Sequence, residues 1–273
     1  MFENYNPILL SVIGITVLFC IIYILFNLRH KARTRPYFIK GPKDASSLTI
    51  IESKDIKKAT VGHEFTYSFW INIEDWGYKF NKPKHIFHVG DENANDVCPG
   101  VWLYPQNNNI MIRVDTHDRK DPKSMNPSIN KNILNKDTPC DLENIPVQRW
   151  CHIVVTLLNR TIDVFLNGKL ARSCTLDKIP KFNEGNLYIN QNDGYKGLIS
   201  DFMYSNETIS PKDVYNLYLS GYNAFIIYNY FNFVVPKLKI ESNICKDSNS
   251  EVEEEYKMRI SKLNSEISKL KNK

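Results

Sequence analysis

The chain has 273 residues, long enough for one large domain with appendages. Its formal charge is only +5, from 35 Lys and Arg against 30 Asp and Glu, and much of the basic excess sits between Arg29 and Lys43, so no nucleic-acid partner is expected. Six cysteines without C-x-x-C spacing exclude a zinc module, and the chain has no phosphate-binding loop, dinucleotide fingerprint or G-x-S-x-G elbow.

Residues 1–28 read as a membrane anchor. Ile8 to Phe26 is a 19-residue run without a charge, apolar on every side, which suits a partner of lipid bilayer. The n-region Met1–Pro7 has no Lys or Arg and no small-residue cleavage site follows, so the expectation is an uncleaved single-pass span. Arg29, Lys31, Arg33, Arg35, Lys40 and Lys43 all follow the span, which by the positive-inside rule leaves the N-terminus outside and the C-terminal domain cytosolic. Two N-glycosylation sequons, Asn159-Arg160-Thr161 and Asn206-Glu207-Thr208, point the other way, but short motifs recur by chance in an Asn-rich chain.

Residues 29–47 read as a basic juxtamembrane linker with Pro36, Gly41 and Pro42, its charges expected as a plain stop-transfer flank, with attraction to anionic headgroups as the alternative. From 48 to 222 the pattern is short strands and turns. Thr49–Ile51 comes first. Phe65 to Ile73 alternates, with Phe65, Tyr67, Phe69, Ile71 and Ile73 on one face. Ile86–Val89 follows, then Val101–Tyr104 and Ile110–Val114 around the turn-rich Gln106-Asn107-Asn108-Asn109, and then a long polar insertion over 115–147.

The stretch from Trp150 to Lys169 and beyond carries most information. It predicts a three-strand meander whose two turns are closed by Asn159-Arg160 and Asn167-Gly168, because Asn and Gly tolerate positive φ. Two-residue loops set Val155 opposite Val164, Ile153 opposite Leu166, Leu157 opposite Ile162 and, on the other face, Asp163 opposite Arg172. That register puts Cys151 and Cys174 at opposite ends, excluding a bridge between them and leaving Cys98 with Cys140 open. Leu187–Asn190 and Gly197–Tyr204 predict two more strands. A short helix runs from Pro211 to about Leu219, with Ser210 as N-cap and Gly221 as terminator.

Residues 223–245 read as an apolar extension, too short to span a bilayer. Residues 246–273 predict a short coiled coil, since Tyr256, Ile260, Leu263, Ile267 and Leu270 recur at alternating 4-3 spacing; 251–273 would then support a homo-oligomer.

Four ordered blocks, Phe65–Ile71, Trp150–Val154, Val164–Lys169 and Gly197–Tyr204 with Ile209–Val214, resemble the laminin-G-like domain of the concanavalin A-like lectin/glucanase superfamily. The resemblance implies an all-β, antiparallel two-sheet jelly-roll sandwich over 48–222, here between a transmembrane helix and a coiled-coil helix. It raises glycoside hydrolysis, but the paired carboxylates of one strand face are missing: Asp201 stands alone, and Glu74 and Asp75 are adjacent and face opposite ways. It raises calcium as a cofactor at the rim, with Asp91, Asn95 and Asp96 in one loop and Asn192 and Asp193 in another. Aromatic residues near strand ends, Trp76, Tyr78, Trp102, Tyr104 and Tyr195, are the candidates for stacking on a ligand, whereas Trp70 and Trp150 are expected in the core.

The function expected is a membrane-anchored, non-catalytic binding module for a protein or glycan. The second hypothesis is a scaffold assembled through the coiled coil and the apolar extension; a glycosidase is a remote third. Abundant Asn, Lys, Ile and Tyr suggest an A/T-rich genome such as that of a large DNA virus or a protist, and in a virus the role would be a virion membrane component.

Overall fold

The computed structural model describes residues 7–59, 62–117, 124–133 and 140–223. Helix α1 (Pro7–Thr34) leads into β1 (Tyr37–Ile39), β2 (Lys43–Asp44), β3 (Thr49–Ile51), β4 (Glu64–Asp75), β5 (Lys84–Gly90), β6 (Val97–Leu103) and β7 (Ile110–Arg113). The meander is β8 (Trp150–Leu158), β9 (Thr161–Leu166) and β10 (Lys169–Thr175); β11 (Asn186–Ile189), β12 (Lys196–Ser205) and α2 (Pro211–Ser220) follow. A seven-stranded sheet runs β1-β12-β4-β8-β9-β10 with β2 also on β12, and a five-stranded sheet runs β3-β11-β5-β6-β7. All pairs are antiparallel.

The side-chain period of two builds the core. Phe65, Tyr67, Phe69, Ile71 and Ile73 of β4 face inward with Ile153, Val155, Val164 and Phe202 of the large sheet. Phe87, Val101, Leu103, Ile110, Leu187 and Ile189 of the small sheet meet them. Aromatic rings interlock across the gap, Tyr67 with Phe87 at 5.0 Å and Phe69 with Phe87 at 5.4 Å. Phe69, Ile153, Val155 and Val164 are wholly buried.

The meander has the expected register at Val155–Val164, Ile153–Leu166 and Leu157–Ile162. Its turns hold Asn159 at φ 56°, Asn167 at φ 50° and Gly168 at φ 77°. One expectation fails: Asp163 stands opposite Ser173, not Arg172, because an irregularity between Leu170 and Arg172 inserts one residue into β10. Ser210 caps α2 by accepting from the Asp213 N–H, and Gly221 ends it. Helix α2 covers the outer face of the large sheet, where Val214 meets Val154, Phe165 and Met203. Trp70 is buried there against Tyr218, outside the main core.

Two further expectations change. The stretch read as a linker holds β1 and β2, both paired with β12. The disulfide joins Cys140 to Cys174, and Cys98 is a free buried thiol. The insertion returns along the free edge of β7, where Leu142 bridges Ile110, and this brings Cys140 to the edge strand β10. The bridge thus ties the last strands of the two sheets together on one side of the sandwich.

In α1 the described side chains Val12–Ile24 and Phe26 are exposed on all sides. Among the residues whose side chains are described, which in α1 are Val12–Ile24 and Phe26, no helical stretch is long and apolar enough to cross a membrane. The apolar extension beyond 223 and the predicted coiled coil lie outside the described residues.

A bulge between His85 and Phe87 puts His85 and His88 on the same outer face of β5. The Gln191 N–H donates to His85 Nδ1 at 2.9 Å, His85 Nε2 lies 2.7 Å from His88 Nδ1, and His88 Nε2 lies 2.9 Å from the Asp91 carbonyl. Only two neutral rings satisfy this chain: each accepts at Nδ1 and donates from Nε2. Burial pushes both rings down, and it pushes His152 to about 3. The unfolded chain binds these protons near pH 6.5 while the folded chain does not. Stability should therefore be complete above that pH and fall as the pH drops toward the folded values, by about 2 kcal/mol at pH 5 for His152 alone. Thermal melts between pH 7.5 and 4 check this, and His152→Gln should flatten the slope. Cys140→Ser should cost about 3–4 kcal/mol by freeing a loop of sequence separation 34, measured by denaturant melts under non-reducing conditions.

Candidate functional site

Trp76, directly after β4, lines an open groove of about 450 Å³ with Gln106, Asn107, Asn108, Asn109, Glu143 and Asn144. Local hydrogen bonding explains its shape. The turn between β6 and β7 closes through Tyr104 N–H to Asn109 O at 3.0 Å. The returning insertion is clamped to it by Ile145 N–H to Asn108 O, Asn108 Nδ2 to Ile145 O and Asn144 N–H to Asn109 Oδ1. Gln106 reaches Asn81 Oδ1. The side chains of Asn107 and Asn144 are exposed and make no hydrogen bond among the described residues. The groove therefore offers one indole, free amides and the Glu143 carboxylate, which Arg172 approaches at 3.7 Å.

Beneath the indole lies an unusual group. Lys84 is fully buried, its Nζ 4.6 Å from the Trp76 ring centroid and without a hydrogen-bond partner among the described residues. Burial pushes its ammonium pKa down, opposed by the nearby Asp75 carboxylate. The cation–π contact fixes the indole over the end of the core.

The aromatic candidates separate. Trp76 lines the groove. Tyr78 lies in the same loop and donates to the Asp193 carbonyl. Tyr104 is half-buried and its hydroxyl donates to Asp141, which also pairs with Arg113. Trp102 and Tyr195 cannot meet a ligand. Trp102 is 2 % exposed, packed with Val97, Met111 and Met125, because the loop after β5 and the insertion cover that face of the small sheet. Tyr195 is wholly buried and its hydroxyl donates to the Leu198 carbonyl.

The calcium candidates are already engaged. Asp91 accepts from the N–H groups of Asn93, Asn95 and Asp96 and from the Asn95 amide. Burial pushes its carboxyl up, but these bonds outweigh it and hold it below the usual range. Asp96 lies 3.3 Å from Lys181, and Lys79 binds the Asn192 carbonyl and the Asp193 carboxylate. The two loops do touch, through Gln191 Nε2 and the Glu92 carbonyl. Among the described residues, however, no group of three or more His, Cys, Asp or Glu side chains is placed to hold a metal.

A Ser–His contact also falls short of catalysis. Ser68 Oγ lies 2.9 Å from His152 Nε2, but both are buried and His152 stacks on Trp70 and Tyr218 under α2. With its ring held to about 3, His152 is a poor base near neutrality. Asp201, in the β12 bulge at φ 44°, accepts from the Gly41 N–H. Asn206, in the second sequon, is buried and bonded to the Lys58 carbonyl, so it is closed to glycosylation in the fold.

The sequence reading named Trp76 as a candidate and did not name Gln106–Asn109, Glu143 or Asn144, which line the same groove. The Asn run was visible only as a turn, and nothing in it signals that residues 143–145 return to clamp it.

A profile of the family described as the concanavalin A-like lectin/glucanases superfamily matches residues 49–215. A search of curated proteins finds no match. Among solved structures, the receptor binding domain of botulinum neurotoxin D is 17% identical with a TM-score of 0.48, covering 67% of this chain and 45% of that one. The receptor binding domain of botulinum neurotoxin C/D mosaic serotype is 16% identical with a TM-score of 0.47, covering 66% and 43%. The binding domain of botulinum neurotoxin DC, in complex with rat synaptotagmin II, is 15% identical with a TM-score of 0.43, covering 63% and 39%. This chain thus spans less than half the length of each.

Trp102→Ala should destabilise the domain by about 3–5 kcal/mol, read from denaturant midpoints, as expected of a core deletion.

Proposed function

The chain belongs to the concanavalin A-like lectin/glucanase superfamily, and from that premise we propose that it is a membrane-anchored, non-catalytic module that binds a carbohydrate in the groove at Trp76. The observation that carries this reading is the groove's chemistry: an indole for the apolar face of a sugar ring, and unengaged amides at Asn107 and Asn144 for its hydroxyls. Glu143 is the single carboxylate among the described lining residues, whereas glycoside hydrolysis takes two flanking one bond. The loops form the site, as expected where a rigid scaffold carries variable connections.

Anchoring rests on the uncharged run Ile8–Phe26 and on the apolar side chains that α1 leaves exposed all round. Two features bear on the side of the bilayer that the domain occupies. The basic flank favours the cytosolic side, and the Cys140–Cys174 bridge favours an oxidising one. Protease protection in microsomes separates them: digestion of the domain supports the cytosolic side, and full protection the oxidising side. In a virus the same architecture would serve as a virion membrane component.

A glycan array with the full chain in detergent tests the binding reading. Saturable binding should weaken about tenfold, or about 1.4 kcal/mol, in Trp76→Ala while the melting temperature stays near that of the parent. Binding unchanged by Trp76→Ala, or no binding to any sugar, would overturn it.

A further inference from the structure

Helix α1 ends at Thr34 and β1 begins at Tyr37. The two joining residues are themselves tied to the sandwich. The Pro36 carbonyl accepts from the Tyr204 N–H at 3.0 Å, and the Arg35 guanidinium lies 3.8 Å from the Asp213 carboxylate in the first turn of α2. Even fully extended, the joint reaches about 10 Å from the last helical residue to the first strand residue. The helix therefore delivers the chain to one defined place on the large sheet.

Strand register names that place. Tyr37 stands opposite Met203, near the end of β12. The start of β12 lies at the other end of the sheet, where Lys196 stands opposite Asp75, and Trp76 follows Asp75 directly. The remaining wall of the groove is fastened at that same end, since Gln148 N–H donates to the Ile73 carbonyl. From Met203 to Lys196 is about 20 Å of strand. The groove and the root of α1 thus occupy opposite ends of the sandwich.

We propose that the fold presents the Trp76 groove at the tip remote from its own membrane, so that the ligand is a carbohydrate carried on a facing surface and not a headgroup of the bilayer that holds α1. The inference rests on the anchor and groove readings above. With β12 standing along the bilayer normal, twenty ångströms exceeds both the headgroup layer, about 5–7 Å deep, and the ~8 Å over which headgroup charge is felt at physiological salt. The chemistry agrees, because the described lining residues include no Lys or Arg to meet a lipid phosphate. The joint has no free linker to let the domain swing over, with Arg35 and Pro36 both bonded to the sandwich.

The test uses the full chain in lipid nanodiscs, with Cys20→Ser to remove the exposed native thiol. One fluorophore is placed at Asn107→Cys in the groove, or at Lys57→Cys, whose carbonyl accepts from the Tyr204 hydroxyl beside the root of α1. Lipids spin-labelled at the headgroup should quench the label at 57 several-fold more strongly than the label at 107. Equal quenching at both positions, or stronger quenching at 107, overturns the proposal. Elution of the protein apart from the discs, with neither label quenched, overturns the anchor reading and the proposal with it. Glycan binding by the unlabelled protein in the same discs, compared with Trp76→Ala, reads the groove separately: loss of binding in the variant supports the ligand half, and unchanged binding overturns it.

Discussion

Burial of two facing apolar sheet faces is the constraint on which the rest of this structure depends. Strand β4 lies at the centre of the larger sheet, hydrogen-bonded to β12 on one side and β8 on the other. Its five inward residues, Phe65, Tyr67, Phe69, Ile71 and Ile73, belong to the one core that both sheets share. A slip of one residue would send all five to the outer face and bring Thr66, Ser68 and Trp70 inward. Neighbouring strands are held in register by the same rule, and so the ends of every strand, with the loops they carry, are placed by the core.

Where the strict period of two is broken, the break has a local use. The bulge in β5 turns His85 to the same side as His88 and lets two neutral rings link the loop at Asp91 to the loop at Gln191. The irregularity in β12 puts Asp201 at positive φ, where its carboxylate receives the Gly41 N–H and secures the turn between β1 and β2. Each bulge costs a ladder bond and directs a polar side chain to a loop that the ladder alone would leave unattached.

The groove belongs to the loops and not to the core. Its walls are a turn between two strands and a piece of the insertion, joined by backbone and amide hydrogen bonds. The Cys140–Cys174 bridge and the Arg113–Asp141 ion pair, at 2.6 Å, hold the returning insertion against the sandwich edge, so a polar segment without a core of its own stands in one conformation. Lys84 under Trp76 shows the same economy of position: the first residue of β5 is a cation where an indole, not an aliphatic side chain, closes that end.

By itself the sequence determined strands β3 to β12, the meander register at Val155–Val164, the caps of α2 and the two-sheet class, because each follows from a short-range period or from turn chemistry within a few residues. It also placed Trp76 among five aromatic candidates, since an aromatic residue just past a strand is visible in one dimension. Only the tertiary structure decided that Trp102 and Tyr195 are buried, that Cys140 meets Cys174, and that residues 143–145 clamp the Asn-rich turn. The disulfide and the clamp depend on where a long insertion returns and which sheet edge it meets. The disulfide spans 34 positions and the clamp 35 and 37, and no local pattern records them.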